Sequence, residues 1–253
     1  MTASEYPPRS LLYVPGSNAR ALEKAAGLAA DMLIIDLEDA VPADRKADAR
    51  AAMRAAVIAG FPGKRVAVRI NGAGSPEQAA DIDAVAGLAL GAVVLPKVDA
   101  PSDLGPARGL GVPLLAMIET PAAIYAARDI AADPAVVGLI AGLNDLAHEL
   151  QLPGGIDRAA MGHAIQAIVL AARAAGVWVF DGVYNAIDDA AGFAAEAAEG
   201  RRFGFDGKSL IHPAQVDPCN AAFMPSPRAI AAAKALVAAA TGGAQRHAGQ
   251  MIE

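Results

Sequence analysis

The chain has 253 residues, 55% hydrophobic, 19% charged and 4% aromatic, with a formal net charge of −6. That length suits one large domain or two small ones, and the Ala-rich, sparsely charged composition excludes a disordered chain. The acidic balance argues against a general nucleic-acid binder, no apolar run is long enough for a membrane span, no signal-peptide pattern opens the chain, and the lone Cys219 excludes an internal disulfide and fits a reducing cytoplasm.

Residues 10–14 read as a first strand, stopped by Pro15-Gly16. Ser17 or Asn18 can cap a helix running to about Ala30. Residues 31–35 are a second strand, tipped by Asp36, Glu38 and Asp39. Pro42 and Asp44 open a second helix, to Gly60. Residues 65–70 are a third strand with Arg69 and Asn71 at its tip, and Ser75-Pro76-Glu77 starts a third helix. Residues 91–95 are a fourth strand ending in Pro96-Lys97, followed by a short helix from about Ser102. Residues 114–118 form an uninterrupted apolar run, the mark of a strand buried on both faces. It ends in Glu119, and Thr120-Pro121 supply an N-cap and first turn to a helix reaching about Ala132. Residues 136–141 are a sixth strand, with Asp145 at its end, followed by a long helical region to Ala175. Residues 177–180 are a seventh, ending in Asp181, with a helix to Gly200. An eighth spans 203–211, and a last helix 226–240.

Eight strand–helix alternations fit a (β/α)8 TIM barrel over residues 1–241, with a tail at 242–253, mobile or docked on a neighbouring subunit. A doubly wound open sheet has the same local pattern, but the chain lacks a Gly-rich dinucleotide fingerprint. In a barrel the strand tips Asp36/Glu38/Asp39, Arg69/Asn71, Lys97, Glu119, Asp145, Asp181 and Lys208/His212 converge on one rim. Glu119 and Asp145 with water and substrate oxygens would make an oxygen site of the Mg²⁺ type. Arg69 can hold a carboxylate or enolate oxygen in a fork. A cation that polarises a carbonyl and a guanidinium that takes developing charge are the parts of an enolate site. Each acid also has a plainer reading: Asp145 as a helix cap, the 36–39 acids as a solvated turn. His212 is equally a satisfied core histidine, and Trp178 and Phe180 are most simply core.

The segments 11–17 (LLYVPGS), 33–41 (LIIDLEDAV), 68–71 (VRIN), 95–98 (LPKV), 118–121 (IETP) and 204–215 (GFDGKSLIHPAQ) resemble, in that order, the citrate lyase β-subunit-like acyl-CoA lyases of the HpcH/HpaI aldolase superfamily. The resemblance spans about residues 9–240. It implies a (β/α)8 barrel, commonly a homotrimer, that cleaves hydroxyacyl-CoA thioesters such as citramalyl-, citryl- or malyl-CoA to acetyl-CoA and a 2-oxo acid. It places Mg²⁺ on Glu119 and Asp145, and the arginine that contacts the keto-acid and thioester oxygens on Arg69. CoA phosphate contacts fall near Arg20 and Lys24, and the thioester lining on Ile211 and Pro213. Asp36 and Glu38 match rim acids that organise metal-bound waters. Two departures stand out. Asn144-Asp145 replaces a frequent Glu-Asp, and the chain reads Gly249-Gln-Met-Ile-Glu253 where many relatives continue past Gly-x-Met-Ile-Asp, so Glu253 takes the place of the acid/base candidate. The first expectation is a Mg²⁺-dependent carbon–carbon lyase in the cytoplasm. The second is a malyl-CoA-type thioesterase using the same site, the third a citrate lyase β-like subunit acting only on a carrier-bound substrate, and the last a pyruvate-type aldolase without CoA.

Overall fold

The structure is a computed structural model that describes residues 6–154, 156–239, 245–247 and 250–252. Eight parallel strands close into a barrel in sequence order, β1 bonding to both β2 and β8. They are β1 (Ser10–Pro15), β2 (Met32–Asp36), β3 (Arg65–Arg69), β4 (Ala92–Leu95), β5 (Leu114–Ile118), β6 (Val136–Ala141), β7 (Trp178–Asp181) and β8 (Gly207–Leu210). The connecting helices are α1 (Ala19–Ala25), α2 (Lys46–Ala59), α3 (Gln78–Val85), α4 (Gly105–Arg108), α5 (Pro121–Ala131), α6 (Leu143–Glu149), α7 (Gly162–Ala175), α8 (Ala190–Phe203) and α9 (Val216–Phe223). The open sheet is thereby excluded. No described helix is long and apolar enough to cross a membrane.

The strands have a two-residue period, and each sends alternate side chains to opposite faces. Leu11, Met32, Ile34, Ala67, Ala92, Val94, Leu115, Met117, Ile140 and Phe180 fill the barrel interior. Their sequence neighbours Leu12, Leu33, Ile35, Val68, Val93, Leu114, Ala116 and Leu139 pack outward under the helices. The strand segments therefore read as unbroken apolar runs, because both faces are buried.

The capping chemistry explains where helices begin and end. Asn18 caps α1 by accepting the Ala21 N–H at 3.0 Å, and Thr120 caps α5 by accepting that of Ala123 at 3.0 Å. Four element limits differ from the sequence reading. α1 stops at Ala25, where Ala26-Gly27-Leu28 turn back on the last carbonyls. The region 143–175 is two helices, because Pro153 and Gly154 break it. α8 runs on to Phe203 and is closed by Gly204 at φ +103°, a left-handed conformation suited to glycine, so β8 starts only at Gly207. The helix α9 falls within a stretch that carries no strong periodic signal. Cys219 on α9 is buried; its thiol donates to the Arg9 carbonyl, and burial pushes it up to about 12.

The chain separates into two compact units, one ending at Phe223 and one beginning at Met224. The second contains α10 (Pro227–Ala239) and an antiparallel pair, β9 (Gln245–His247) with β10 (Gln250–Ile252).

Candidate active site

Inward-facing residues at the carboxyl ends of the strands line a cavity of about 380 Å³, whose wall includes Tyr13, Asp36, Arg69, Met117, Glu119, Asp145 and Ile211. The period of two dictates the set. Asp36 follows Met32 and Ile34, Arg69 follows Ala67, and Glu119 follows Leu115 and Met117 on the interior face of each strand.

Asp36 and Arg69 are register partners on β2 and β3. Arg69 Nε and Nη2 donate to the two Asp36 oxygens at 2.7 and 2.5 Å, a bidentate fork. Asp36 also accepts the N–H groups of Glu38 at 2.9 Å and Ala40 at 3.1 Å, which fixes the loop after β2. The Arg69 guanidinium lies 4.7 Å above the Tyr13 ring, and Tyr13 Oη lies 3.6 Å from Met117 Sδ. Burial opposes the charge on Arg69, but the bonds it donates to Asp36, together with the negative charges of Asp36 and Glu38, outweigh it and the guanidinium is held above its ordinary range. Its third nitrogen, Nη1, is 3.2 Å from Glu38 Oε2. That contact is off the hydrogen-bonding direction, so Oε2 is a buried carboxylate oxygen without a hydrogen-bond partner among the described residues. Burial raises the Glu38 carboxyl, partly offset by Arg69.

Glu119 is 3% exposed and accepts the Lys97 N–H on Oε1 at 2.6 Å. Burial pushes it up to about 7; the Lys97 N–H opposes this, and the charges of Asp145 and Glu38 add to it. Asp145 does not sit on a strand end. β6 stops at Ala141, Gly142 is the N-cap, and Asp145 occupies the first turn of α6, where a carboxylate suits the helix dipole. It still reaches the cavity, because α6 starts directly above the rim. Two partly exposed or buried carboxylates of separate elements, with an orphaned oxygen of Glu38 beside them, form a hard oxygen set. Among the described residues no three His, Cys, Asp or Glu side chains converge as a closed cage. Mg²⁺ does not need one, since it usually takes one or two carboxylates and completes its shell with water and substrate oxygens. The residues therefore fit the ion.

Three positioning groups carried no sequence signal. Lys46, nine residues beyond Leu37, donates from Nζ to the carbonyls of Leu37 and Glu38 and to Asn71 Oδ1 at 2.7, 2.8 and 2.9 Å. Asp81, fully buried on α3, accepts the Asn71 N–H and side-chain amide and the Arg50 guanidinium. Asn71 is thus part of the scaffold under the Glu38 loop. Gly142 is the third: a Cβ there would lie 2.3 Å from both Cβ and Oε2 of Glu119. Tyr13 could have been found by alternation alone, as an aromatic on the inward phase of β1.

The remaining residues divide. Ile211 lines the cavity, while Pro213, itself exposed, opens a 3-10 turn (Pro213–Gln215) beside it. His212 caps that turn, its Nδ1 accepting the Ala214 N–H at 3.2 Å. Arg20 and Lys24 are exposed on α1. Asp181 and Lys208 do not reach the rim. Each is one residue out of phase with an inward neighbour, Phe180 or Ser209, and so points under α8. There the fully buried Lys208 Nζ bonds Asp181 at 3.1 Å and Glu196 at 2.7 Å, and Arg158 adds a second cation at 3.0 Å from Asp181. Trp178 and Phe180 are barrel core. Glu253 lies outside the described residues.

Residues 9–213 match the HpcH/HpaI aldolase/citrate lyase family. A (3S)-malyl-CoA thioesterase of Cereibacter sphaeroides is 46% identical over 242 residues, 94% of this chain and 85% of that protein. The citrate lyase subunit beta of Escherichia coli is 33% identical over 257 residues, 95% of this chain and 85% of that protein. The crystal structure of CitE from Mycobacterium tuberculosis in complex with magnesium, acetoacetate and coenzyme A superposes with a TM-score of 0.83 at 34% identity, covering 97% of this chain and 92% of that one.

Proposed function

The chain belongs to the HpcH/HpaI aldolase/citrate lyase family, and from that membership we propose a Mg²⁺-dependent enzyme acting on a CoA thioester of a small hydroxy acid, with malyl-CoA as the leading candidate. One observation carries the reading: Glu119 and Asp145 stand with Arg69 in a single cavity at the carboxyl ends of the strands. Glu119 and Asp145 would hold the ion, which supplies Lewis-acid polarisation of a substrate oxygen. Arg69 is pinned on two nitrogens by Asp36, and Nη1, which stands 3.2 Å from Glu38 Oε2 and donates to Met117 Sδ at 3.8 Å, is the nitrogen that would turn to an oxygen that gains negative charge. Asp36, being saturated by Arg69 and two backbone N–H groups, orients and does not transfer protons. Glu38 keeps one unbonded oxygen and a raised carboxyl, which suits it to order water at the rim.

The same residues serve two outcomes. In hydrolysis, water adds to the thioester carbonyl, the C–S bond breaks and CoA thiol leaves with the hydroxy acid as the second product. In carbon–carbon cleavage, a base takes the hydroxyl proton, the bond to the acetyl-CoA carbon breaks and Arg69 holds the enolate oxygen until it is protonated. Hydrolysis is favoured by the malyl-CoA thioesterases, which are more similar in sequence than the citrate lyase subunits. The lyase reading is supported by the family itself. Both place the CoA phosphates toward Arg20 and Lys24 and the thioester against Ile211 and Pro213. They also share a cytoplasmic homotrimer in which the tail, through Glu253, serves a neighbouring subunit.

Malyl-, citramalyl- and citryl-CoA, each with and without Mg²⁺, separate these readings. A thioesterase releases free thiol with no acetyl-CoA, and a lyase releases acetyl-CoA with a 2-oxo acid. Free thiol from malyl-CoA, only with Mg²⁺, is expected. Turnover of a carrier-bound substrate alone would point to the complex-bound subunit. Glu119→Ala and Asp145→Ala are expected to abolish Mg²⁺-dependent turnover with little change in melting temperature, and full turnover in either would remove the metal assignment.

A further inference from the structure

Lys97 touches all three carboxylates around the metal-facing end of the cavity, through two different parts of itself. Its backbone N–H donates to Glu119 Oε1 at 2.6 Å. Its ammonium Nζ stands 3.4 Å from Glu38 Oε1 and 3.8 Å from Asp145 Oδ2. The backbone that allows both contacts is left-handed, φ +52°, one of two such conformations at non-glycine positions among the described residues. A side chain there is disfavoured by its own Cβ, so the surrounding contacts must hold it. The neighbouring charges make the reason plain. Asp36 is satisfied by Arg69. Glu38, Glu119 and Asp145 then remain close together, and Lys97 is the cation that lies between Glu38 and Asp145. The Lys97 side chain is 51% exposed, so its tip can leave without repacking the core.

Resting on the metal site proposed above, we infer that Lys97 is a resident counter-ion. Its ammonium holds the ligand carboxylates in place while no divalent ion is bound and is displaced when one enters. The N–H bond to Glu119 persists in both states and keeps that carboxylate aimed. Lys97 is therefore a positioning residue, and Mg²⁺ affinity is set by competition with its side chain.

The test uses the full-length protein and Mg²⁺ binding by calorimetry, which needs no substrate. Lys97→Met keeps the stem and removes the charge. It is expected to bind Mg²⁺ several-fold more tightly than wild type, and in the metal-free state to melt at lower temperature, with added Mg²⁺ closing the difference. Acetylation of Lys97, read by peptide mass spectrometry against the exposed Lys234, is expected to speed up when Mg²⁺ is added to wild type. Unchanged or weaker Mg²⁺ binding in Lys97→Met would overturn the inference, as would an acetylation rate indifferent to Mg²⁺. If wild type itself binds no Mg²⁺, the metal site fails, a result distinct from a wild type that binds the ion with an affinity indifferent to Lys97.

Discussion

Gly142 has no side chain because Glu119 occupies the space one would need. Gly142→Ala forces Glu119 off its seat against Lys97. A displacement of about 1 Å at a reacting group can cost roughly 100-fold in rate. Turnover is expected to fall by about that factor and Mg²⁺ affinity with it, while the circular dichroism spectrum is kept; wild-type kinetics would show that Glu119 can be re-seated freely. Arg69→Lys preserves charge but loses the two-pronged bond to Asp36 and the planar face over Tyr13. Loss of a donor aimed at developing charge typically costs about 10²–10³ in kcat, and a kcat drop of that size with modest change in KM is expected. At this scale Glu119, Arg69, Asp36 and Glu38 were legible as candidates, because charges at the ends of otherwise apolar strands demand partners; Asp145 was singled out as a strand tip, whereas it stands on α6. Lys46, Asp81 and Gly142 were not, since their roles depend on neighbours 10 to 25 residues away or on empty space.

The elements are joined by charges as well as by apolar faces. Under α8, Lys208 is fully buried between Asp181 and Glu196. Lys208→Met would leave Arg158 to serve Asp181, Glu196 and Glu199 together, three acids on one guanidinium. Breaking a buried pair costs about 3–5 kcal/mol, so a loss of that order is expected in urea unfolding, with turnover retained at low temperature because this network lies outside the cavity. Arg9 ties the start of β1 to the approach of β2 by donating its N–H and side chain to Asp31. Burial would raise the Asp31 carboxyl, but the bonds from Arg9 outweigh it and hold it below the ordinary value of 3.8. A depressed carboxyl stabilises the fold above that ordinary value, and the contribution is lost as pH falls from about 4 through the folded-state value. Asp31→Asn is expected to flatten the acid limb of a stability–pH curve. Alternation told which strand residues share a face, yet the tips Asp181 and Lys208 were placed on the rim when their phase puts them outside. Asp145, on a helix, escapes strand alternation altogether, and the short α6 that carries it was hidden in one long helical stretch.

For the whole molecule, the proposed trimer and its tail can be tested by complementation. Glu119→Ala and Glu253→Ala subunits, each inactive alone, are expected to regain turnover when unfolded and refolded together if one chain's tail serves the next chain's cavity. Sedimentation should report three chains per particle, and absence of rescue would confine each site to its own chain. By itself the sequence determined the barrel, since eight doubly buried strands alternating with helices can close only a few ways. It also determined the acids and the arginine at the strand tips, because chemistry-bearing side chains interrupt an apolar pattern. Only the tertiary structure decided which of those tips face the cavity, that Arg69 is spent on Asp36 along one edge, and that Lys97 stands between Glu38 and Asp145. The physical reason is range: periodicity and capping act over a few residues, whereas pKa shifts, ion pairs and close approaches arise between strands that meet only when the barrel closes.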